Sequence, residues 1–265
     1  MKSRPVVLKF GSGILAREGG CSLDNAQFRR LSSEIAGIVA SGIPCVVVSS
    51  GAVAAGVAAL KLKKRPSDLA GKQACAAVGQ PSLMEAYGRH FKRHGIKAAQ
   101  LLLTHDDIFD LGRRRNASVT LERLLACPDV VPIINENDSV AVEELRFGDN
   151  DHLSAEVAQL LRARLLILLT SADGLLERVS YPQKSGLIRI PVVTEINNAF
   201  RHVTPEKGEH STGGMLSKLR AVQSAVEAGI ETVIANGRKS GCIAGAIAGQ
   251  DVGTRFPAQK PQKRR

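Results

Sequence analysis

The sequence contains no tryptophan, and Phe, Tyr and Trp together supply only 3% of its 265 residues. Single-stranded nucleic acid is held by stacking bases on aromatic faces, so the chain is poorly equipped for that role. The five cysteines, Cys21, Cys45, Cys75, Cys127 and Cys242, are odd in number and scattered, with no CxxC pair. This argues against a disulfide frame or a thiolate zinc site and reads as reduced intracellular thiols. No apolar run reaches the ~18 residues needed to cross a bilayer. Lys2 and Arg4 lead straight into a short strand-like run, so no signal peptide is expected. A cytoplasmic protein without membrane association follows. The Walker A pattern GxxxxGK[ST] is missing, and the Gly11-Ser12-Gly13 turn does not extend into GxGxxG. Both omissions lower the P-loop and dinucleotide-binding readings.

What is present is ordinary globular material, 44% hydrophobic and 23% charged. Its length suits one α/β domain, or two small ones at ~150 residues each. Lys+Arg outnumber Asp+Glu by 36 to 25, and removing four positives in the terminal KPQKRR from the net +11 leaves +7 on the body. A basic body favours anionic partners, whether phosphates, carboxylates or nucleic acid. Six apolar runs have strand length: VVLKF, PCVVVSS, AAQLLLT, VVPIIN, LLILLT and ETVIAN. Near-continuous hydrophobicity implies burial on both faces. Helical stripes separate them over Ala26–Ala40, Leu69–His94, Ala117–Leu125, Ser154–Leu161 and Leu216–Ala228. The alternation predicts a mainly parallel sheet with helices on both faces. One domain is expected over 1–256, followed by a basic tail over 257–265 too polar to bury itself.

The strands end in small, polar or charged residues, and in such sheets ligands bind beyond the strands' carboxyl ends. Lys9 precedes Gly11 and Gly13, a turn that would let backbone N–H groups approach an anion, though the same string serves as a plain turn. Ser50, Gly51 and Ala52 stand at a helix start, fit for a carboxylate or phosphate, or simply for capping. Thr212, Gly213, Gly214 and Met215 open the helix carrying Lys218, which suits a nucleotide triphosphate; the alternative is a surface loop with a solvated lysine. In INENDSV and FGDNDHLSA, Asp149, Asn150 and Asp151 read first as a cap before a helix beginning near Leu153 or Ser154. They also suit a zwitterion: Asp138 or Asp149 for an ammonium, and Asn135, Asn150 and the Ser50 turn for carboxylates. His90 and His94 lie in a basic helix end without an acidic partner and read as surface residues.

Taken together, VVLKFGSG, VVVSSGAVAAG, VVPIINENDSV, FGDNDHLSA, LLLTSADGL and STGGMLSK resemble the glutamate 5-kinases of the amino acid kinase family, from about Val6 to Phe256. NEND and GDND are the specific strings. The two early glycine turns are shared more loosely with acetylglutamate, aspartate and uridylate kinases. The resemblance implies a three-layer αβα sandwich with a central mainly parallel sheet, and ATP-dependent phosphorylation of the L-glutamate γ-carboxylate, the first step toward proline. It implies that Lys9 and Lys218 contact the transferring phosphoryl group and that Asp151 orients them. Ser50, Gly51, Ala52, Asp138 and Asn150 would bind glutamate, with Asn135 and Asp149 nearby. Lys9, Gly11, Thr170, Ser171 and the Thr212–Lys218 loop, with Gly213, Gly214 and Met215, would hold ATP. Mg²⁺ would bridge ATP oxygens, with no protein metal ligand assigned.

A homo-oligomer, dimer or tetramer, and proline as a feedback inhibitor belong to the same implication. So does a kinase-only form, because many relatives carry a further carboxyl-terminal PUA domain of the RNA-modification type. The segment LERVSYPQKSGLIRI lacks the family's acidic-proline run, so a different base-binding wall is expected. The chemistry is consistent: a carboxylate of pKa ~4.3 is already ionised at neutral pH and needs no general base. Two other readings stand beside this one, an acetylglutamate kinase and a nucleic-acid-binding regulator acting through the basic tail.

Overall fold

Alternate residues of strand β1 (Val6–Phe10) serve two different cores. Val6, Leu8 and Phe10 join one apolar cluster while Val7 joins the other, so the strand is buried on both faces. The computed structural model describes residues 3–140, 149–181, 184–202 and 214–259. After β1 come α1 (Ser12–Leu15), α2 (Asn25–Ala40), β2 (Cys45–Ser49), α3 (Ala52–Ala59) and α4 (Leu69–Lys92). Then follow β3 (Lys97–Leu103), α5 (His105–Phe109), α6 (Leu111–Leu125), β4 (Val130–Glu136), α7 (Asp149–Leu160) and β5 (Leu165–Thr170). The remainder is β6 (Leu176–Tyr181), β7 (Lys184–Arg189), α8 (Ile196–Ala199), α9 (Met215–Glu227), β8 (Glu231–Asn236), α10 (Cys242–Ile247) and β9 (Gly253–Phe256).

Seven strands form one sheet in the order β3-β4-β2-β1-β5-β8-β9. Every neighbouring pair is parallel except β8 with β9. Helices α2, α4 and α10 cover one face, contributing Phe28, Leu83 and Ile243; α6, α7 and α9 cover the other with Leu121, Val157 and Val222. The result is the three-layer αβα sandwich, and β1 sits at its centre. The chain first builds β2, β3 and β4 on one side of β1 and then β5, β8 and β9 on the other. The crevice beyond the carboxyl end of β1 is therefore the place where the strand order switches.

Two features depart from the sequence reading. The six apolar runs are all strands, but β6 pairs antiparallel with β7 as a separate two-stranded sheet, and β9 closes one edge. Helix α7 starts at Asp149, earlier than Leu153, so Asp149, Asn150 and Asp151 lie in its first turn. Acidic residues there oppose the positive end of the helix dipole, which makes them part of the helix as readily as a cap to it. Apart from these, Gln259 donates its N–H to the Val226 carbonyl in the last turn of α9 at 2.9 Å.

Helices α3 and α4 touch through their backbones. A Cβ at Gly56 would overlap the Cys75 carbonyl, and one at Gly79 would overlap the Ala52 carbonyl. This contact carries the turn between β2 and α3 against α4. Among the described residues no helix is long and apolar enough to cross a membrane.

Candidate active site

The alternation that divides β1 between two cores also aims its lysine. Lys9 shares the face of Val7, and that face is covered by α7 and α9. Asp151 stands in the first turn of α7, and Lys218 stands at the start of α9 on the stripe continued by Val222 and Ala225. The three side chains meet. Lys9 Nζ lies 2.6 Å from Asp151 Oδ1, and Lys218 Nζ lies 3.0 Å from Asp151 Oδ2. Relative exposures are 5% for Lys9, 1% for Asp151 and 7% for Lys218. Burial alone would push the Asp151 carboxyl up, but the two ammonium groups outweigh it and hold the carboxyl below its usual range. Two cations around one anion leave a local excess of positive charge in a poorly solvated place. That is an arrangement suited to a polyanionic ligand. Gly11 lies next to it, where a Cβ would come 3.6 Å from Lys9 Nζ, and its N–H donates to the Leu169 carbonyl at 3.3 Å.

A second group of polar side chains gathers on the neighbouring strand ends. Ser50 follows β2 and donates its N–H to the Phe10 carbonyl at 3.1 Å. Gly51 then takes φ +112°, a left-handed conformation that favours glycine, and α3 begins at Ala52. Asn150 Nδ2 donates to Ser50 Oγ at 3.1 Å and to Asn135 Oδ1 at 3.0 Å. Asn135 in turn donates to Gln80 Oε1 at 2.9 Å. The network thus ties β2, β4, α4 and α7 together. Its open end is Asn150 Oδ1, buried and without a hydrogen-bond partner among the described residues. A buried acceptor left unmet is costly unless a ligand's N–H or ammonium reaches it. Asp138 is half-buried in the turn after β4; Asp149 opens α7, and its side chain lies outside the described set.

The third group borders the far side of the crevice. The Gly237 N–H donates to the Thr170 carbonyl at 2.9 Å, joining the ends of β5 and β8, while Ser171 is exposed. Gly214 precedes α9 with no side-chain cap, and Met215 is the first helical residue. The N–H groups of that first turn therefore lack a capping side chain of Gly214, as an anion-binding helix start requires. Thr212 and Gly213 lie outside the described residues.

Several polar residues here had no assigned part in the sequence reading. Gln80 is one; its signal was a lone amide in the otherwise small, apolar stretch AACAAVGQ. Asp173 accepts from Asn236 Nδ2 at 2.8 Å and pairs with Lys239 at 2.8 Å. Hydrogen bonding to Lys239 and Asn236 holds its carboxyl below the usual range. Arg238 donates to the Gly13 carbonyl at 2.7 Å, tying the β8 turn to the first glycine turn. Nothing local marked these pairs, because each joins segments more than sixty residues apart.

His90 corrects an expectation. It is buried at 4% exposure, its ring stacked on Phe28 with centroids 6.4 Å apart, while His94 is exposed. The basic neighbours suggested solvent, but His90 falls on the same helical face as Leu83, Tyr87 and Phe91 of α4. Helical phase outweighed local charge.

Residues 4–236 match the family model described as "Amino acid kinase family". The chain is 44% identical over 254 residues to a glutamate 5-kinase of Trichlorobacter lovleyi, spanning 96% of this chain and 67% of that one. It is 41% identical over 258 residues to a glutamate 5-kinase of Streptococcus suis, spanning 97% and 71% respectively. Among solved structures, the UMP kinase from Bacillus anthracis superposes with a TM-score of 0.64 at 15% identity, covering 97% of both chains. That likeness concerns the fold alone.

Proposed function

This chain belongs to the amino acid kinase family, and on that basis we propose that it transfers the γ-phosphoryl group of ATP to the γ-carboxylate of L-glutamate. The product is L-glutamyl 5-phosphate, at the entry to proline biosynthesis. One observation carries the reading at the level of chemistry: Lys9 and Lys218, 209 positions apart in the sequence, converge on the buried Asp151 carboxylate.

The acceptor carboxylate is ionised at neutral pH, so no base has to create the nucleophile. The obstacle is the approach of two anions. A carboxylate oxygen attacks the γ-phosphorus as the bond to the bridging β,γ-oxygen breaks, and ADP leaves with that electron pair. Lys9 and Lys218 offset the charge on the equatorial oxygens, and Asp151 keeps both amines aimed at one point. Each Asp151 oxygen faces one lysine amine, so the carboxylate serves here to position the two cations. The nucleotide would be used as its magnesium complex, the ion supplying further positive charge against the phosphates. Gly11, Thr170, Ser171 and the Thr212–Met215 turn would bind the nucleotide.

Glutamate would sit over Ser50, Gly51 and Ala52, with Asn135 and Asn150 as polar partners and Asp138 and Asp149 toward the amine. Acidic partners for a free ammonium, Asp138 and Asp149, favour glutamate over an N-acetylated acceptor, whose nitrogen carries no charge. Cytoplasmic location, self-association and proline as an end-product ligand complete the reading. The exposed Phe109 and Leu111 (73% and 81%) are suited to contact with a second copy.

The test is turnover of glutamate-dependent ADP release. Lys9→Ala and Lys218→Ala should each lower kcat by about 10²–10³ with circular dichroism unchanged. Near-normal kcat in both variants would refute the mechanism. Preference for N-acetylglutamate over glutamate would reassign the substrate.

A further inference from the structure

Apart from the Lys9–Asp151–Lys218 group, three metal-ligating side chains from two elements converge. His105 opens α5, and His152 and Glu156 stand one turn apart on α7. His105 Nδ1 lies 3.1 Å from Glu156 Oε1, and His152 Nε2 lies 3.5 Å from the same oxygen. One ligand atom from each residue lies within 4.8 Å of the others. The two imidazole rings sit 5.0 Å apart at their centroids. Four-coordinate zinc with bonds of ~2.05 Å needs ligand atoms roughly 3.3 Å apart, so two of the three edges already fit.

A second observation points to a ligand. Glu156 is only 9% exposed, and its Oε2 is buried with no hydrogen-bond partner among the described residues. A carboxylate oxygen left unmet in such a place costs free energy, which a cation held by both oxygens of Glu156 would recover. His152, in contrast, is 39% exposed on its side chain, which gives the cluster an opening to solvent.

We propose that His105, His152 and Glu156 form a site for a divalent transition metal of the zinc class, bridging α5 to α7 and distinct from the Lys9–Asp151–Lys218 centre. Two imidazoles and one carboxylate are borderline donors that suit Zn²⁺ or Co²⁺ better than Mg²⁺ or Ca²⁺. Water completes the coordination. Binding requires both imidazoles neutral at the ligating nitrogen. The ion fixes the outer face of α7 one residue beyond Asp151, and so fastens the helix that carries Asp151 to the element following β3. The proposal stands independently of the kinase reading, because its readouts are spectroscopic and thermal.

The experiment uses the full chain, free of any affinity tag and stripped of metal, titrated with Co²⁺ alone. Visible ligand-field bands should saturate at one equivalent and be abolished by Zn²⁺. Saturating Zn²⁺ should raise the melting temperature by about 5 °C at a hundredfold excess over Kd. His152→Ala, half exposed and safe for folding, should weaken Co²⁺ binding at least tenfold and remove the thermal shift. Glu156→Gln should do the same, while Cys127→Ser and His94→Ala leave the titration unchanged. Absence of the bands in wild type, or an identical titration in His152→Ala and Glu156→Gln, overturns the proposal. A site lost instead in Cys127→Ser or His94→Ala also overturns it, by locating the metal elsewhere.

Discussion

Asp151→Asn isolates the charge at the centre of the site, because the amide keeps the shape of the carboxyl. In the native protein the carboxylate is 1% exposed and faces ammonium groups at 2.6 and 3.0 Å. A unit-charge pair at ~4 Å is worth about 4 kcal/mol at an effective dielectric of ~20, and desolvation offsets much of it. Removing one member of a buried pair leaves the others uncompensated and costs about 3–5 kcal/mol. For a chain of this size each kcal/mol moves Tm by roughly 2–4 °C, so calorimetry should show a fall of about 10 °C. The pH dependence has a definite sign. The folded carboxyl lies below its unfolded value, so its contribution is complete above the unfolded pKa near ~3.9 and is lost as pH falls through the folded one. The gap in Tm between wild type and variant should be flat from about pH 5 to 8 and close only in strong acid. If MgATP binds as proposed, it would supply negative charge to the same two lysines and should stabilise the variant more than the wild type. Turnover should fall by about 10² as the amines lose their alignment. A variant melting within ~1 °C of wild type, with normal kcat, would show that Asp151 does not balance the two lysines.

The glutamate group can be tested by Asn150→Asp, which sets a carboxylate against Ser50 and Asn135; KM for glutamate should rise about 10–100-fold with KM for ATP unchanged. Gly79→Val should lower stability by ~3 kcal/mol or more in urea denaturation, because the side chain would enter the Ala52 carbonyl. His90 has its pKa lowered by burial, with Arg93, Arg89 and Arg29 adding to the effect. The unfolded chain therefore takes up a proton first, and stability declines as pH falls below about 6.5. His90→Leu should flatten that decline in a series of melts between about pH 7.5 and 5.

The sheet was legible where strands are buried on both sides. VVLKF, CVVVS and LLILLT keep a nearly unbroken apolar run because each faces two helical layers. LERVSY and KSGLIR have no such signature; Leu187 and Ile188 are 62% and 51% exposed, so solvent and not a core sets their composition. GTRF was hidden by its length and by its edge position. Within the site, Lys9, Ser50 and Asn135 could be placed because strand ends in parallel sheets point to one crevice. The pairing of Lys218 with Asp151 came from family resemblance, since no local rule joins two helices 67 positions apart. Burial of His90 was readable in principle from helical phase, and the charge around it obscured the signal.

The backbone contact between α3 and α4 has a bearing on how new acceptors could evolve. With glycine against carbonyl at two levels, those helices cannot slide apart, and the Ser50 turn at their head has a fixed address. If the acceptor lies over this turn as proposed, room for a longer or bulkier amino acid would have to come from side chains such as Asn135 and Asn150 and not from a shift of the α3–α4 backbone.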